Sequence, residues 1–193
     1  LSSQPRGKQQ LNPSGIYYTP VSGIWQTVWL EAVSPEAYIK EVKILSDIDN
    51  KTVTITPLNI IPLVKSYKTV VKIFWKGEEI THGIINSDKS ITLKIDNPHL
   101  WSPDTPNLYD LKLSLINSNG EVIDTVDSYF GMRKISLGDN MGVKYLFLNN
   151  KPLFHYGTLD QGWWPDGLLT PPSDSAMKFD IIKTKEMGFN MIR

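Results

Sequence analysis

The chain has 193 residues, of which 20 are Lys or Arg and 20 are Asp or Glu, so its formal net charge is zero. This balance leaves no basic surplus for nucleic acid or for an anionic membrane surface. No apolar run approaches the roughly 20 residues that span a bilayer, and the polar segment Leu1 to Gln10 predicts no signal peptide. The absence of cysteine excludes disulfides and is compatible with cytoplasm or periplasm. The compartment stays open, with a slight preference for the periplasm or the cell exterior.

The first 33 residues predict an irregular segment followed by one strand. Leu1 to Ser14 carries Pro, Gly, Gln and Ser without periodicity, which is typical of a loop or tail. The β-branched and aromatic residues from Trp25 to Val33 favour a strand. Nothing before it could supply the rest of a sheet, so we expect an orphan strand that must borrow a partner.

Between Ser34 and Ile135, short strand-like runs alternate with turn signals and no helical run occurs. The clearest run alternates strictly, with Tyr109, Leu111, Leu113 and Leu115 on one face, as a half-buried strand requires. Seven such runs predict an immunoglobulin-like β-sandwich in a mainly β chain. The predicted strands are Ile39–Leu45, Thr52–Pro57, Tyr67–Trp75, Glu79–His82, Ser90–Ile95, Asn107–Ile116 and Val122–Phe130.

After Ile135 the pattern changes to that of a strand, a helix and a second strand. Asn149-Asn150-Lys151 is a hairpin signal between the runs Lys144–Leu148 and Pro152–Thr158. A long loop, Asp160–Pro172, precedes a helix for which Ser173 is the predicted N-cap and Gly188 the C-terminal signal. Met177, Ile181 and Thr184 form its apolar stripe. FNMIR then reads as a strand, which completes a βαβ unit.

Three stretches of the sequence resemble parts of one known family. LWSPDTPNLYDLKLSL running into FGMRKI looks like the end of the immunoglobulin-like domain of glycoside hydrolase family 2, which includes β-galactosidases, β-glucuronidases and β-mannosidases. SGIWQTVWLEAV is similar to the last strand of its N-terminal sugar-binding sandwich, and LNNKPLFHYG with EMGFNMIR is similar to the opening of its catalytic barrel. The three occur in the family's order across most of the chain.

The resemblance implies a division into three parts. Residues 1–34 would be the tail of the sugar-binding jelly-roll domain, residues 35–135 the immunoglobulin-like sandwich, and residues 136–193 a hairpin and the first βαβ unit of a (β/α)₈ barrel. A complete barrel takes about 250 residues, so the barrel here is expected to be truncated and incomplete.

The resemblance also implies retaining hydrolysis of β-glycosidic bonds by two glutamates, one an acid/base and the other a nucleophile. In the family both stand at the ends of barrel strands 4 and 7, positions that would lie beyond Arg193. We therefore expect no catalytic residue and no glycosidase activity in this chain alone, and a spacer role for the sandwich. The partner implied is a carbohydrate β-glycoside, and whether it is a galactoside, glucuronide or mannoside stays open.

Five residues are candidate substrate-binding residues of the parent enzyme. Arg193 ends the GFN-x-IR motif, whose arginine in the family lies against the nucleophilic carboxylate and keeps it ionised and oriented. The loop after the first barrel strand departs from the family pattern, with Thr158, Leu159, Asp160 and Gln161 after Gly157. It still offers the aromatic faces and carboxylates that sugar sites use. These are Asp160, Trp163, Trp164 and Asp166.

The same loop has a purely structural interpretation. Trp163 and Trp164 could pack the loop onto the barrel rim while Asp160 and Asp166 serve its turns, and for the tryptophans the two interpretations weigh about equally. His82, His99 and His155 are scattered without a Cys partner or i+4 spacing, so the sequence predicts no metal site. It implies no cofactor either.

A non-enzymatic β-sandwich module for carbohydrate binding or adhesion is the alternative. It has no use for a capped helix between two strands that end in GFNMIR, whereas an enzyme fragment must have them. For the isolated chain we expect unpaired strand edges and uncovered apolar faces, and hence self-association or fraying at both ends.

Overall fold

The structure is a computed structural model that describes residues 7–24, 26–62, 66–86 and 89–193. The chain divides into two units. The sandwich unit is Glu31–Phe154, and the strand-helix unit combines Leu1–Leu30 with His155–Arg193. The three-part division at residues 34 and 135 stays a prediction.

The sandwich unit contains all seven predicted strands. They form a three-stranded sheet in the order β1-β2-β5 and a four-stranded sheet in the order β4-β3-β6-β7, with every pairing antiparallel. The prediction of a mainly β chain with an immunoglobulin-like sandwich is confirmed. The strands are β1 Tyr38–Asp47, β2 Thr52–Ile60, β3 Lys68–Trp75, β4 Glu78–Asn86, β5 Ile91–Lys94, β6 Tyr109–Ile116 and β7 Val122–Phe130.

The core between the sheets is filled by alternate residues of the central strands. On β6 the predicted inward face is buried, with each of its four side chains at most 1% exposed, while Asp110 and Lys112 face solvent. Val53 and Ile55 of β2 and Val71 and Ile73 of β3 complete this core and are fully buried. Removing these apolar side chains from water is the main stabilising term of the unit.

Aromatic rings form a chain of contacts beside this core. His99 lies parallel to Trp75 with 4.2 Å between ring centroids, Trp75 meets Tyr109 at 4.9 Å, and Tyr109 stacks on Phe130 at 5.3 Å. The hydroxyl of Tyr109 accepts a 2.7 Å hydrogen bond from the backbone N–H of His99. Burial raises the pKa of Tyr109, and this hydrogen bond opposes the rise.

Both flanks of the sandwich are closed by contacts between the two sheets. On one flank, Asp124 of β7 accepts a 2.8 Å hydrogen bond from the backbone N–H of Ile39 in β1. On the other, Gly83 of β4 lies so close to β5 that a Cβ at its position would be 2.3 Å from Cδ1 of Ile91. The predicted strand at β4 ended at His82, next to this glycine. In the structure β4 continues through Gly83 to Asn86. A glycine stands at this position because the close approach of β5 leaves no room for a side chain.

A hairpin sheet follows the sandwich in the same unit. It consists of β8 Ile135–Asn140, β9 Val143–Leu148 and β10 Lys151–Pro152, in the order β10-β9-β8. The predicted turn at Asn149-Asn150 is confirmed, and both residues adopt positive φ, of 51° and 65°. The sequence reading missed β8, which pairs with β9 through a second tight turn. The sequence predicted one continuous run, Pro152–Thr158, but the structure has β10 and a separate short strand, β11 Gly157–Thr158.

Polar contacts fasten this hairpin sheet to the loop between β1 and β2. Asp49 receives hydrogen bonds from the ammonium group of Lys134 and, at 2.7 Å, from the Asn150 amide. These two bonds lower the pKa of the Asp49 carboxyl below its ordinary value. Several apolar side chains of the hairpin remain exposed, Leu137 at 77% among them.

The strand-helix unit contains the predicted βαβ arrangement. Strands β11 Gly157–Thr158 and β12 Met191–Ile192 pair in parallel, and helix α1 Asp174–Glu186 lies between them in sequence. The predicted caps are confirmed: the Ser173 hydroxyl accepts from the backbone N–H of Ala176 at 3.1 Å, and Gly188 follows the helix with φ of 88°. Gly188 and Phe189 donate to the carbonyls of Lys185 and Thr184, which is a Schellman ending.

Helix α1 has capping hydrogen bonds at both ends, but its side chains are poorly covered by other residues. The predicted apolar stripe is largely uncovered, with Met177 41% exposed and Ile181 59% exposed, and no residue of α1 is buried. Among the residues described, no helix is both long and apolar enough to cross a membrane.

The predicted N-terminal strand is wrong for the part that the structure describes. Trp25 lies outside the described residues, and residues 26–33 have no strand assignment, with Leu30 fully exposed. Composition favours an extended conformation here, but a strand exists only by pairing with another, and no described segment forms a ladder with this one. Of the predicted tail Leu1–Ser14, residues 1–6 lie outside the description, while Gln9 forms a single bridge with Tyr18.

Candidate functional site

The parallel strands β11 and β12 bring two of the predicted site residues together at their carboxyl ends. The backbone N–H of Arg193 donates to the carbonyl of Thr158 at 3.0 Å, and the backbone N–H of Asp160 donates to the carbonyl of Arg193 at 2.8 Å. Asp160 and Arg193 are therefore hydrogen-bonded neighbours at the ends of adjacent strands. This is the edge at which parallel α/β sheets and barrels place their binding residues.

Asp160 also begins the loop that follows β11. One oxygen of its carboxylate accepts a 2.7 Å hydrogen bond from the backbone N–H of Gly162, two residues further on. This is the local bond by which aspartate nucleates a turn. Gln161 and Trp163 stand on either side of Gly162 in this turn and line the same cleft as Asp160. Asp160 therefore has the structural role of a turn residue, and its role in binding stays a prediction.

Trp163 packs against an aromatic residue from the N-terminal segment of the same unit. The rings of Trp163 and Tyr18 have centroids 4.6 Å apart and are tilted by 31°. The hydroxyl of Tyr18 donates to the side-chain carbonyl of Gln161. The backbone of Tyr18 is held by two 2.9 Å hydrogen bonds, from its own N–H to the Lys8 carbonyl and from the Gln10 N–H to its carbonyl.

These groups line an open cleft of about 650 Å³ beside helix α1. Asp160 and Trp163 of the predicted site contribute to it. The cleft is lined by Tyr18, Leu159, Asp160, Gln161, Trp163, Phe179, Asp180, Lys183, Thr184 and Met187. A volume in this range accommodates a small ligand. Its mixture of aromatic faces, carboxylates and an amide is suited to sugar hydroxyls and to the apolar faces of sugar rings.

Trp164 and Asp166 take up a different position and do not line the cleft. Trp164 forms a tight bridge with Leu168, with N–H to carbonyl distances of 2.7 and 3.1 Å. Asp166 lies within the turn that this bridge closes and accepts a 2.9 Å hydrogen bond from Gly167. In this conformation both residues shape the loop. Their role in binding stays a prediction, as do the roles of the other three.

The cleft carries more negative than positive charge. Asp160 and Asp180 contribute two carboxylates, and Lys183 is the one cation among the lining residues. The Lys183 ammonium lies 2.6 Å from a carboxylate oxygen of Glu186, one helical turn further along. Much of its positive charge is therefore compensated locally. Nowhere in the described ranges do three or more His, Cys, Asp or Glu side chains gather as a metal site would require.

Tyr18, Asp180 and Lys183 are among the lining residues that the sequence analysis did not predict. Tyr18 was assigned to no element, because a contact with Trp163 across 145 positions has no local signal. Asp180 and Lys183 were not singled out among the residues of α1. Their i, i+3 spacing predicts that they lie on one face of the helix. It does not predict that this face meets the loop after β11.

Comparison with known proteins identifies the family. The profile of the family described as Glycosyl hydrolases family 2 matches residues 32–133, more than half of the chain. A beta-galactosidase of Leuconostoc mesenteroides is 27% identical, over 90% of this chain and 18% of its own length. A putative beta-glucuronidase of Formosa agariphila is 29% identical, over 89% of this chain and 21% of its own length.

Solved structures agree on the fold. A beta-glycosidase from Bacteroides vulgatus superposes with a TM-score of 0.73 at 24% identity, over 83% of this chain and 21% of that structure. A beta-glucuronidase of Bifidobacterium dentium, complexed with coumarin-3-O-glucuronide, gives a TM-score of 0.71 at 17% identity, over 82% and 27%. The chain thus spans between 18% and 27% of the length of these proteins. The resemblance seen in the sequence is confirmed, and the chain belongs to glycosyl hydrolases family 2.

Proposed function

We propose that the chain is part of a glycosidase that hydrolyses β-glycosidic bonds of carbohydrates by the retaining mechanism of two glutamates. In this proposal both glutamates lie outside the 193 residues, so the chain alone is inactive. The observation that carries the proposal is the backbone pairing of Asp160 with Arg193 at the ends of two parallel strands. Together with membership of the family, it supports the first corner of a barrel active site.

Arg193 would act on the nucleophile rather than on the sugar bond itself. In retaining hydrolysis a carboxylate attacks the anomeric carbon and must be ionised, while a second carboxyl group protonates the departing oxygen. A guanidinium beside the nucleophile favours its ionised form and fixes its orientation through charge-assisted hydrogen bonds. Asp160, Trp163, Trp164 and Asp166 would contact the substrate from the adjoining loop.

The sandwich would serve as a spacer. Its interior is an apolar core of alternating strand residues, and the buried rings of Tyr109 and Phe130 pack within it. None of the five candidate substrate-binding residues lies in this unit. A rigid, chemically inert domain of this kind would hold the neighbouring domains of the parent enzyme in register.

A non-enzymatic carbohydrate-binding module is the second candidate, and the cleft beside α1 is the observation in its favour. An aromatic and acidic cleft can hold a sugar without hydrolysing it. Against it stands the helix capped at both ends between two parallel strands. A binding sandwich does not require that arrangement, whereas a barrel enzyme is built from it.

The test compares the 193-residue chain with the complete product of the gene that encodes it. Both are assayed on 4-nitrophenyl β-galactoside, β-glucuronide and β-mannoside. We expect hydrolysis of at least one substrate by the complete product and none by the chain. Hydrolysis by the chain itself would refute its predicted inactivity. A complete product that binds sugars without cleaving any of them would favour the binding module.

The role of Arg193 is tested in the complete product with Arg193→Ala. We expect kcat to fall by roughly 100-fold or more, as for other preorganised groups that stabilise charge during the reaction, with a smaller change in KM. Loss of the guanidinium raises the pKa of the nucleophile, so the acid limb of the pH profile should move to higher pH. The matched control is Arg133→Ala, because Arg133 lies over the Trp101 ring in the sandwich unit at 4.8 Å.

A further inference from the structure

The wall of the cleft beside α1 is built jointly by the N-terminal segment and the loop after β11. We propose that this cleft is a subsite for an uncharged sugar ring, that Tyr18 and Trp163 form its stacking wall, and that its acidic lining discriminates against uronic acids. The inference rests on the proposed function, since it names the class of glycoside that the site would accept.

The aromatic wall is preorganised. Tyr18 is fixed by two backbone hydrogen bonds and by its hydroxyl bond to Gln161, and its ring lies 4.6 Å from that of Trp163. Both rings are half-buried, so part of each surface remains accessible. Aromatic side chains have few rotatable bonds and present large, rigid faces. A wall that is already ordered costs little conformational entropy when a ligand packs against it.

Polar groups at the same wall suit hydroxyl groups. The bond from Tyr18 fixes the orientation of the Gln161 amide, and the turn bond to Gly162 fixes the Asp160 carboxylate. Carboxylate oxygens accept hydrogen bonds from hydroxyls, and an amide both donates and accepts. Apolar faces with a few fixed polar groups are the general composition of small-molecule sites.

The charge of the lining selects between sugar classes. Asp160 and Asp180 bring two carboxylates to the lining, and Lys183 is paired with Glu186 at 2.6 Å. A uronic acid would bring a third carboxylate to a lining whose single cation is already compensated. Like charges at about 5 Å in water repel by about one RT or more, which is enough to disfavour the uronate several-fold. A neutral hexose avoids this repulsion.

The first experiment titrates the 193-residue chain, labelled with ¹⁵N, with methyl β-D-galactopyranoside and, separately, with methyl β-D-glucuronide. We expect the galactoside to shift the Trp163 indole and Tyr18 backbone resonances, and the glucuronide to bind at least threefold more weakly. Shifts confined to other parts of the chain, no shift with either sugar, or equal or tighter binding of the glucuronide would each overturn the inference.

Variants then test the stacking wall and the charge of the lining separately. We expect Tyr18→Ala to weaken galactoside binding by roughly tenfold, while Tyr17→Ala, an adjacent tyrosine outside the cleft, leaves it unchanged. Tyr18→Phe keeps the ring, so its affinity should stay closer to that of the unaltered chain even if the alanine variant unfolds. Unchanged affinity in a folded Tyr18→Ala variant would overturn the stacking wall.

The charge argument has its own pair of variants. Asp180→Asn should reduce the preference for the galactoside over the glucuronide by roughly threefold, whereas Asp110→Asn on the sandwich should leave it unchanged. An unaltered preference in Asp180→Asn would refute the role of the lining charge. These outcomes can be told apart from a failure of the proposed function. If the complete gene product hydrolyses glycosides but the cleft binds no sugar, the proposed function stands and only this inference is refuted.

Discussion

Replacing Gly157 by alanine tests whether the pairing of β11 with β12 positions the candidate site. A Cβ at Gly157 would lie 1.9 Å from the carbonyl oxygen of Met191 on the partner strand, whereas real Cβ contacts essentially never fall below 3.0 Å. The two strands must therefore separate by about 1.1 Å. The obstructing atom belongs to the backbone, so no side-chain rotation relieves the clash.

The expected loss of local stability follows from the hydrogen bonds around that contact. Three of them, of 2.8, 2.9 and 3.0 Å, join the segments that contain β11 and β12, and two of the three donors are Asp160 and Arg193. A separation of this size stretches them to nearly 4 Å, where they are no longer hydrogen bonds. At about 1 kcal/mol each, their loss costs about 3 kcal/mol of local stability, which corresponds to a roughly 100-fold faster amide exchange.

The assay is hydrogen exchange of individual amides in the 193-residue chain. In Gly157→Ala we expect the amides of Asp160, Asn190 and Arg193 to exchange faster, while those of β6 in the sandwich unit keep their protection. Thr158→Ala is the matched control, because it lies next to Gly157 on the same strand and adds no atom. Unchanged exchange of the three amides in Gly157→Ala would refute the reasoning.

Three further predictions concern the sandwich unit. Leu113→Ala should lower the free energy of unfolding by about 2–5 kcal/mol in urea denaturation, because Leu113 is fully buried, whereas Ser114→Ala on the other face should change it little. The pKa of Asp49 is lowered by Lys134 and Asn150, so its contribution is complete above its ordinary pKa of 3.8 and is lost as the pH falls through the lowered value. The melting temperature should therefore fall less steeply below about pH 4 in Asp49→Asn, and an identical slope would contradict the assignment. The exposed apolar side chains predict self-association in light scattering, which Leu137→Ser should reduce; a monodisperse monomer would refute this prediction.

Regular alternation and cap chemistry made most of the fold predictable. On β6 the side chains alternate between core and solvent over eight residues, so only one register buries the apolar face. Helix α1 begins at the predicted Ser173 cap and ends before Gly188, because both residues satisfy backbone groups that the helix itself leaves unpaired.

Features that depend on distant partners were not predictable. The segment from Gln26 to Val33 has the composition of a strand, but whether it pairs depends on a neighbour that its own residues do not specify. Strand β8 was not predicted because its turn with β9 is made by Met141 and Gly142. Met141 has a φ of 55°, a conformation that methionine rarely adopts, so the sequence gives no turn signal at this position.

The cleft was predictable only in part. The sequence of the loop indicated Asp160 and Trp163, because aromatic and acidic residues after a barrel strand are typical of sugar sites. It did not indicate Tyr18, whose place beside Trp163 arises from two backbone hydrogen bonds within the N-terminal segment. Because Tyr18 and Trp163 are far apart in the sequence, no local sequence motif indicates the wall that they form.

The two closed flanks of the sandwich affect how the protein can aggregate. Strands at the margin of a sheet usually offer free backbone groups to other chains. Here Asp124 occupies the Ile39 N–H on one margin, and β5 lies against Gly83 on the other. These contacts discourage the recruitment of foreign strands at these two places on the margins of the sheets. We expect a substitution of Asp124 or Gly83 to cause precipitation during expression before any loss of core stability is measurable.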